Sequence, residues 1–262
     1  MPMAGRLGQM GYRSAVLDVI WFRPRDGEIT PRLPAEHEVY VLELDLPSAL
    51  SEWETSVWND LTASEQQRAR RYRSAQAQAQ FVFCRSALRR WLGACLGLSP
   101  PHVPLTTNAN GKPHLQPMAR DGDGKQAALL YFNVAHTLGK GLIAFARHPV
   151  GIDVERIRPV ENAKGLMQRY FSPSEYAQWQ KSTAEGRADV FFRLWTSKEA
   201  VLKAVGHSLA AIGEFALSLQ DDLSAQVETH SSPELQGPWY IQAWKRDNQY
   251  WMTLAVKVLG KG

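Results

Sequence analysis

Gly151-Ile152-Asp153-Val154-Glu155 reads as a strand with two different faces. Residues two apart in a strand project to the same side, so Ile152 and Val154 share a buried face while Asp153 and Glu155 point together from the other. Two adjacent carboxylates repel, and a hard divalent cation is a partner that makes their closeness favourable. An ordinary solvated strand face is the competing reading of the pair.

Working outward, the chain alternates between strand-like and helical segments. Before this strand, Val39 to Leu44 is β-rich, Leu129 to Val134 and Leu142 to Ala146 read as further strands, and His148-Pro149-Val150-Gly151 reads as a hairpin turn. Thr62-Ala63-Ser64-Glu65 fits a capping box opening a helix that runs to Arg73, and apolar spacing marks a second helix over residues 78–96, stopped by Ser99-Pro100-Pro101. After the strand, Ser172-Pro173-Ser174-Glu175 is a second capping box, residues 191–205 form a helix ended by Gly206, and residues 239–245 and 250–259 read as strands. The fold class is α+β, in two comparable halves. Capping boxes 110 residues apart hint at duplication. The expected organisation is a loose arm over residues 1–36, a first half over 37–149 and a second half over 150–262, with Asp121-Gly122-Asp123-Gly124 as a surface loop.

Composition narrows the function. The 262 residues carry 30 basic and 26 acidic side chains, a net of +4, milder than expected of a nucleic-acid coat or polybasic membrane anchor. The most apolar early stretch, Ala15 to Phe22, contains Asp18 and is far shorter than the roughly 20 residues of a membrane span. No charged leader and apolar run precede a small-residue cleavage site. The 2 cysteines, Cys84 and Cys95, are too far apart on one helix to pair. A reduced, soluble, cytoplasmic protein is expected. The charges are segregated, however: residues 66–120 contain no Asp or Glu but hold Arg68, Arg70, Arg71, Arg73, Arg85, Arg89, Arg90, Lys112 and Arg120, while Asp153, Glu155, Glu161, Glu175 and Glu199 come later. A basic first half opposite an acidic second half suits a phosphorylated ligand on one side and a metal on the other.

In Trp195-Thr196-Ser197-Lys198-Glu199-Ala200-Val201-Leu202-Lys203, Glu199 and Lys203 lie four apart on one helix face. A third carboxylate would complete a Mg²⁺ site, and the ammonium would meet phosphate oxygens, a combination that suggests transfer on a diphosphate. Gly111-Lys112-Pro113 places an exposed lysine on a constrained loop, and Phe132-Asn133-Val134-Ala135-His136-Thr137 ends a strand in a polar cluster. No His-Glu-x-x-His or Cys-x-x-Cys pattern supports zinc, and there is no Gly-x-x-x-x-Gly-Lys-Ser/Thr or Gly-x-Gly-x-x-Gly loop.

Taken in order over residues 61–209, these segments resemble the 4′-phosphopantetheinyl transferases of the larger, surfactin-synthetase-activating (Sfp-like) type. The resemblance rests on Leu-Thr-Ala-Ser-Glu with its following arginines, Gly-Lys-Pro, Phe-Asn-Val-Ala-His-Thr, Gly-Ile-Asp-Val-Glu-Arg and Trp-Thr-Ser-Lys-Glu-Ala-x-x-Lys. It implies transfer of phosphopantetheine from coenzyme A to a serine of an apo acyl, aryl or peptidyl carrier protein with Mg²⁺, releasing adenosine 3′,5′-bisphosphate. It also implies a monomeric pseudo-dimer of two α+β halves with the ligand cleft between them. By the same resemblance Asp153, Glu155 and Glu199 match metal ligands, Lys203 a lysine near the diphosphate, Lys112 and His136 coenzyme A contacts, and Arg68 and Arg85 the grip on the 3′-phosphate. For catalysis, Glu199 or a Mg²⁺-bound water is the expected acceptor of the serine proton and Lys203 steadies the departing phosphate. The chain departs from many members in having Ala135 where they carry Ser before the motif histidine, and Gly206-His207-Ser208-Leu209 where they carry Gly-Lys/Arg-Gly-Leu. Two rival functions are a metal-dependent nuclease, whose common Glu-x-Lys strand signature is missing, and a non-enzymatic nucleic-acid-binding module resting on residues 68–90.

Overall fold

The computed structural model describes residues 17–23, 31–50, 55–116, 130–229 and 232–258. Its first unit runs β1 (Asp18–Phe22), β2 (Glu38–Asp45), α1 (Thr55–Asn59), α2 (Ala63–Arg70), α3 (Ala75–Leu96), β3 (Leu105–Thr107), β4 (Pro113–Leu115), β5 (Tyr131–Thr137) and β6 (Lys140–Ala146). The second runs β7 (Val150–Arg156), α4 (Ala163–Tyr170), α5 (Pro173–Lys181), α6 (Arg187–Val205), β8 (Phe215–Leu219), β9 (Ala225–Thr229), β10 (Trp239–Arg246) and β11 (Tyr250–Lys257).

The main sheets have strand orders β1-β2-β6-β5 and β10-β11-β7. Each contains the same path: a strand, a long helix, then an antiparallel hairpin whose last strand inserts beside the first. The α+β class holds, and the connectivity repeats.

Strand alternation builds four layers. Val39, Val41, Leu142 and Ala144 on one sheet face Ile152, Val154, Met252 and Leu254 on the other. The opposite faces receive the helices: Tyr40, Leu42, Ile143 and Phe145 pack on Leu88, Trp91 and Leu92 of α3, while Ile241 and Ala255 pack on Ala200 and Val201 of α6. Burying each large aliphatic or aromatic side chain here contributes about 1.5–3 kcal/mol. Ile152 and Val154 are therefore buried between the sheets, which turns Asp153 and Glu155 toward α6.

Two sequence expectations need correction. Asp18–Phe22, placed in a loose arm, forms an edge strand parallel to β2, with Asp18↔Glu38 and Phe22↔Leu42 in register. Its alternating side chains pack on both sides of the first sheet, Val19 and Trp21 on the inter-sheet core and Ile20 and Phe22 on the α3 side. The stretch around Pro149 does not close a hairpin. Both edges of β6 are already taken by β2 and β5, so β7 leaves to pair with β11 in the other sheet. The expected loop 121–124 and the start of the strand at Leu129 lie outside the described residues.

Both capping boxes form, Thr62 with Glu65 and Ser172 with Glu175. Helix α3 begins earlier than its apolar spacing suggests because Ser74 caps it. The cysteines are free. Among the described residues no helix is long and apolar enough to cross a membrane.

Candidate active site

The site begins with a missing side chain. Gly151 shares the β7 face of Asp153 and Glu155, and a Cβ built on it would lie 1.9 Å from the Ala200 carbonyl oxygen and 2.4 Å from the Ala204 nitrogen. Only glycine lets α6 settle directly on β7. That approach brings Lys203 Nζ to 2.5 Å from Asp153 Oδ1 and 3.1 Å from Glu199 Oε2. In the first unit, Tyr40, Leu42 and Leu44 of β2 face α3 at the corresponding place. The polar group thus belongs to one of the two repeats.

One ammonium serves too many carboxylates. Burial raises the Asp153 carboxyl above its ordinary range, the Lys203 charge opposes the rise, and Glu199 and Glu155 add to it. Lys203 is itself raised: burial acts against its charge, but Asp153 and Glu199 outweigh it. Asp153 Oδ2 is buried with no hydrogen-bond partner. Glu155, on the same strand face, pairs with Arg158 at 3.2 Å.

The first unit supplies the other wall. Asn108 Nδ2 and Asn110 Nδ2 donate to the Gly206 carbonyl at 3.3 and 2.9 Å, capping the end of α6. Lys112, expected to be exposed, instead donates from Nζ to Val150 O at 3.1 Å and Ala204 O at 2.9 Å. Burial lowers its pKa to about 8. An ammonium has three donors, so one remains for a ligand. Asn133 Oδ1 accepts the Ile152 N–H at 2.9 Å. Between these walls lies a cavity of about 410 Å³ lined by Lys112, Asn133, Glu199, Lys203 and His207 among others. His136 presents much of its surface to solvent at the end of β5, yet the protein crowded round its ring and the Lys203 ammonium hold its pKa below the usual imidazole range.

The structure therefore gathers Asp153, Glu199 and Lys203, with His136 and Lys112 nearby. It does not bring Arg68 and Arg85 to that cavity's lining. Each guanidinium instead packs on the Phe81 ring, 5.0 and 5.7 Å from its centroid, and Arg85 lies 3.5 Å from Glu65. The three carboxylates do not close on a point either: among the described residues no group of three His, Cys, Asp or Glu side chains is placed to hold a metal ion. Lys203 stands between Asp153 and Glu199, and Arg158 engages Glu155. Sequence reasoning missed the asparagine contacts with α6 and the reason for Gly151. Asn108-Ala109-Asn110-Gly111 signalled only a turn, and a strand glycine signals close backbone approach without naming the partner.

A larger cavity, about 840 Å³, lies between β2 and α3. Of its acidic residues, Glu43 is matched by Arg23, Lys140 and Arg246 at 3.0–3.1 Å and Asp45 by Lys140 at 2.7 Å, so it lacks the crowding of carboxylates round one ammonium seen at Lys203.

Comparison with known proteins identifies the family. A family model described as the 4'-phosphopantetheinyl transferase superfamily matches residues 149–255, the second unit with β7 and α6. The chain is 34% identical over 171 residues to the 4'-phosphopantetheinyl transferase HetI of Nostoc sp., covering 64% of this chain and 69% of that one. The chain belongs to the 4′-phosphopantetheinyl transferase superfamily. Within it, this transferase is of the Sfp-like type. It is 25% identical over 221 residues to a Bacillus subtilis 4'-phosphopantetheinyl transferase, covering 84% of this chain and 92% of the relative. It is 28% identical over 127 residues to Sfp of Bacillus subtilis strain 168, covering 48% and 54%. The transferase is thus an enzyme.

Proposed function

We propose that this transferase moves the 4′-phosphopantetheine arm of coenzyme A to a serine of an apo acyl, aryl or peptidyl carrier protein with Mg²⁺, releasing adenosine 3′,5′-bisphosphate. The reading is carried by the polar cluster at the cleft wall, in which buried Asp153 and cleft-lining Glu199 share the single ammonium of Lys203. Asp153, Glu155 and Glu199 would hold Mg²⁺. The unpartnered Asp153 Oδ2 and the surplus of negative charge suit an oxygen-seeking divalent cation. When bound, that ion would offset charge on the diphosphate.

The chain's own groups do the rest. Lys203 has one N–H beyond its two carboxylate contacts and turns it to a diphosphate oxygen, while Lys112 and His136 contact the coenzyme. Arg68 and Arg85 grip the 3′-phosphate, where guanidinium forks fix the nucleotide end. The carrier serine oxygen bonds to the β-phosphorus as Glu199 takes its proton. The bond from that phosphorus to the bridging oxygen breaks, and adenosine 3′,5′-bisphosphate leaves with the electron pair. Both cleft walls come from one chain, which supports a monomer in which the two units form a pseudo-dimer. Two free thiols support a reducing, cytoplasmic location.

Incubation with coenzyme A, Mg²⁺ and a panel of apo carrier proteins tests the reading. A mass gain of one phosphopantetheine on a carrier is expected. No gain on any carrier, with cleavage of DNA under the same conditions, would replace the transferase by the nuclease.

A further inference from the structure

The residue before Glu199 takes no part in the cleft. Lys198 has no exposed side-chain surface, and its ammonium is fully matched. It donates to Glu175 Oε1 at 3.1 Å, Glu175 Oε2 at 2.9 Å and the Phe215 carbonyl at 2.7 Å. Glu175 is equally occupied, for Oε2 also accepts the Ser172 N–H at 2.7 Å and Oε1 the Leu217 N–H at 2.9 Å. One ion pair therefore ties α6 to the first turn of α5 and the start of β8. The first unit repeats the device: Glu65, in the same capping-box position, holds Arg89 of α3 at 2.7 and 3.0 Å.

Stability alone does not call for such a pair. Removing two charges from water costs about as much as their attraction returns, and an apolar pair of equal volume is often as stable. What the ion pair adds is register. Apolar contacts tolerate small slides and rotations of a helix, whereas three N–H groups with fixed acceptors do not. Along α6, Thr196 and Ser197 bond Thr253, Lys198 bonds Glu175, and the following turn carries Glu199 and Lys203 to Asp153.

We propose that Glu175 and Lys198 are positioning residues for the transfer: their buried pair sets the seat of α6, and with it the approach of Glu199 and Lys203 to Asp153. This inference rests on the transferase reading of the cleft and adds residues outside it. A misplacement of about 1 Å can cost about a hundredfold in rate, so a small shift of α6 is enough to matter.

The double variant Glu175→Gln/Lys198→Met removes both charges and keeps the volume, and is compared with the parent and with Lys198→Met, which strands Glu175. The double variant is expected to melt within about 3 °C of the parent. Its kcat falls at least about tenfold, its KM for the carrier stays unchanged, and its calorimetric affinity for coenzyme A with Mg²⁺ weakens by a similar factor. A purely structural pair would leave kcat and that affinity within twofold once the melting temperature is recovered, and that result overturns the proposal. Should the double variant not fold, Glu175→Asp keeps both charges and shortens one arm; parental kcat and affinity there overturn it equally. A parent that binds coenzyme A yet modifies no carrier defeats the transferase reading alone, and the affinity comparison then decides the positioning role.

Discussion

Gly151 lies against the backbone of Ala200, where any Cβ would fall 1.9 Å from a carbonyl oxygen that cannot swing aside. The contact decides how near α6 comes to β7, and therefore whether Lys203 reaches Asp153. Gly151→Ala must push the helix off the strand. Overpacking of this kind costs about 1–3 kcal/mol. Denaturant unfolding should show that loss, and steady-state assays a fall in transfer larger than the instability explains. A variant as stable and active as the parent would show that α6 does not need this seat.

Asp153 carries the imbalance of the cleft. Asp153→Ala removes one buried carboxylate and leaves Lys203 paired with Glu199 at 3.1 Å, so the fold should stay near native. Mg²⁺-dependent transfer should be abolished. Circular dichroism checks the fold and carrier mass spectrometry the turnover. Undiminished turnover would end the assignment of Asp153 to the metal.

Lys112 gives a pH dependence with a defined sign. Burial puts its folded pKa at about 8, below its ordinary lysine value of 10.5. The folded state thus binds fewer protons than the unfolded state between these values, so stability attributable to Lys112 rises with pH through that window. Relative to Lys112→Met, the parent should gain stability from pH 8 to 10. An anionic ligand beside this amine favours its protonation, so coenzyme A binding near pH 8.5 should take up protons in the parent but not in the variant. Calorimetry in buffers of different ionisation enthalpy measures the difference, and equal uptake by both would remove Lys112 from the ligand.

Arg68 and Arg85 both pack on Phe81 and do not line the smaller cleft, so their assignment calls for a ligand lacking one group. Dephospho-coenzyme A has no 3′-phosphate. A charge-assisted contact contributes about 1.5–3 kcal/mol, so the parent should prefer coenzyme A by roughly tenfold to a hundredfold in kcat/KM. Arg68→Ala and Arg85→Ala should shrink that preference while barely changing the use of dephospho-coenzyme A. An intact preference in both variants would place the 3′-phosphate elsewhere.

Much of the architecture was legible in the chain because it follows from local rules. Alternation in residues 151–155 put Ile152 and Val154 inside, both capping boxes announced α2 and α5, and Gly206 marked the end of α6. Strand partners were less legible. The turn at Pro149 looked like a hairpin because turn chemistry is local, whereas the choice of β11 over β6 depends on which sheet edges are already filled. The edge strand Asp18–Phe22 was hidden for a similar reason, since five residues gain strand character only once β2 offers an edge.

By itself the sequence determined which residue types were available: a carboxylate pair on one strand face, Glu199 and Lys203 on one helix face, and arginines kept apart from acids. Periodicity and side-chain chemistry fix those properties before any folding. Only the tertiary structure decided their meeting and its terms. Gly151 lets α6 descend, Lys203 takes the place between two carboxylates, Arg158 engages Glu155, and Lys112 turns inward to backbone carbonyls. Each depends on distances between segments far apart in the chain, and burial there sets both the charge imbalance and the protonation of the groups that share it.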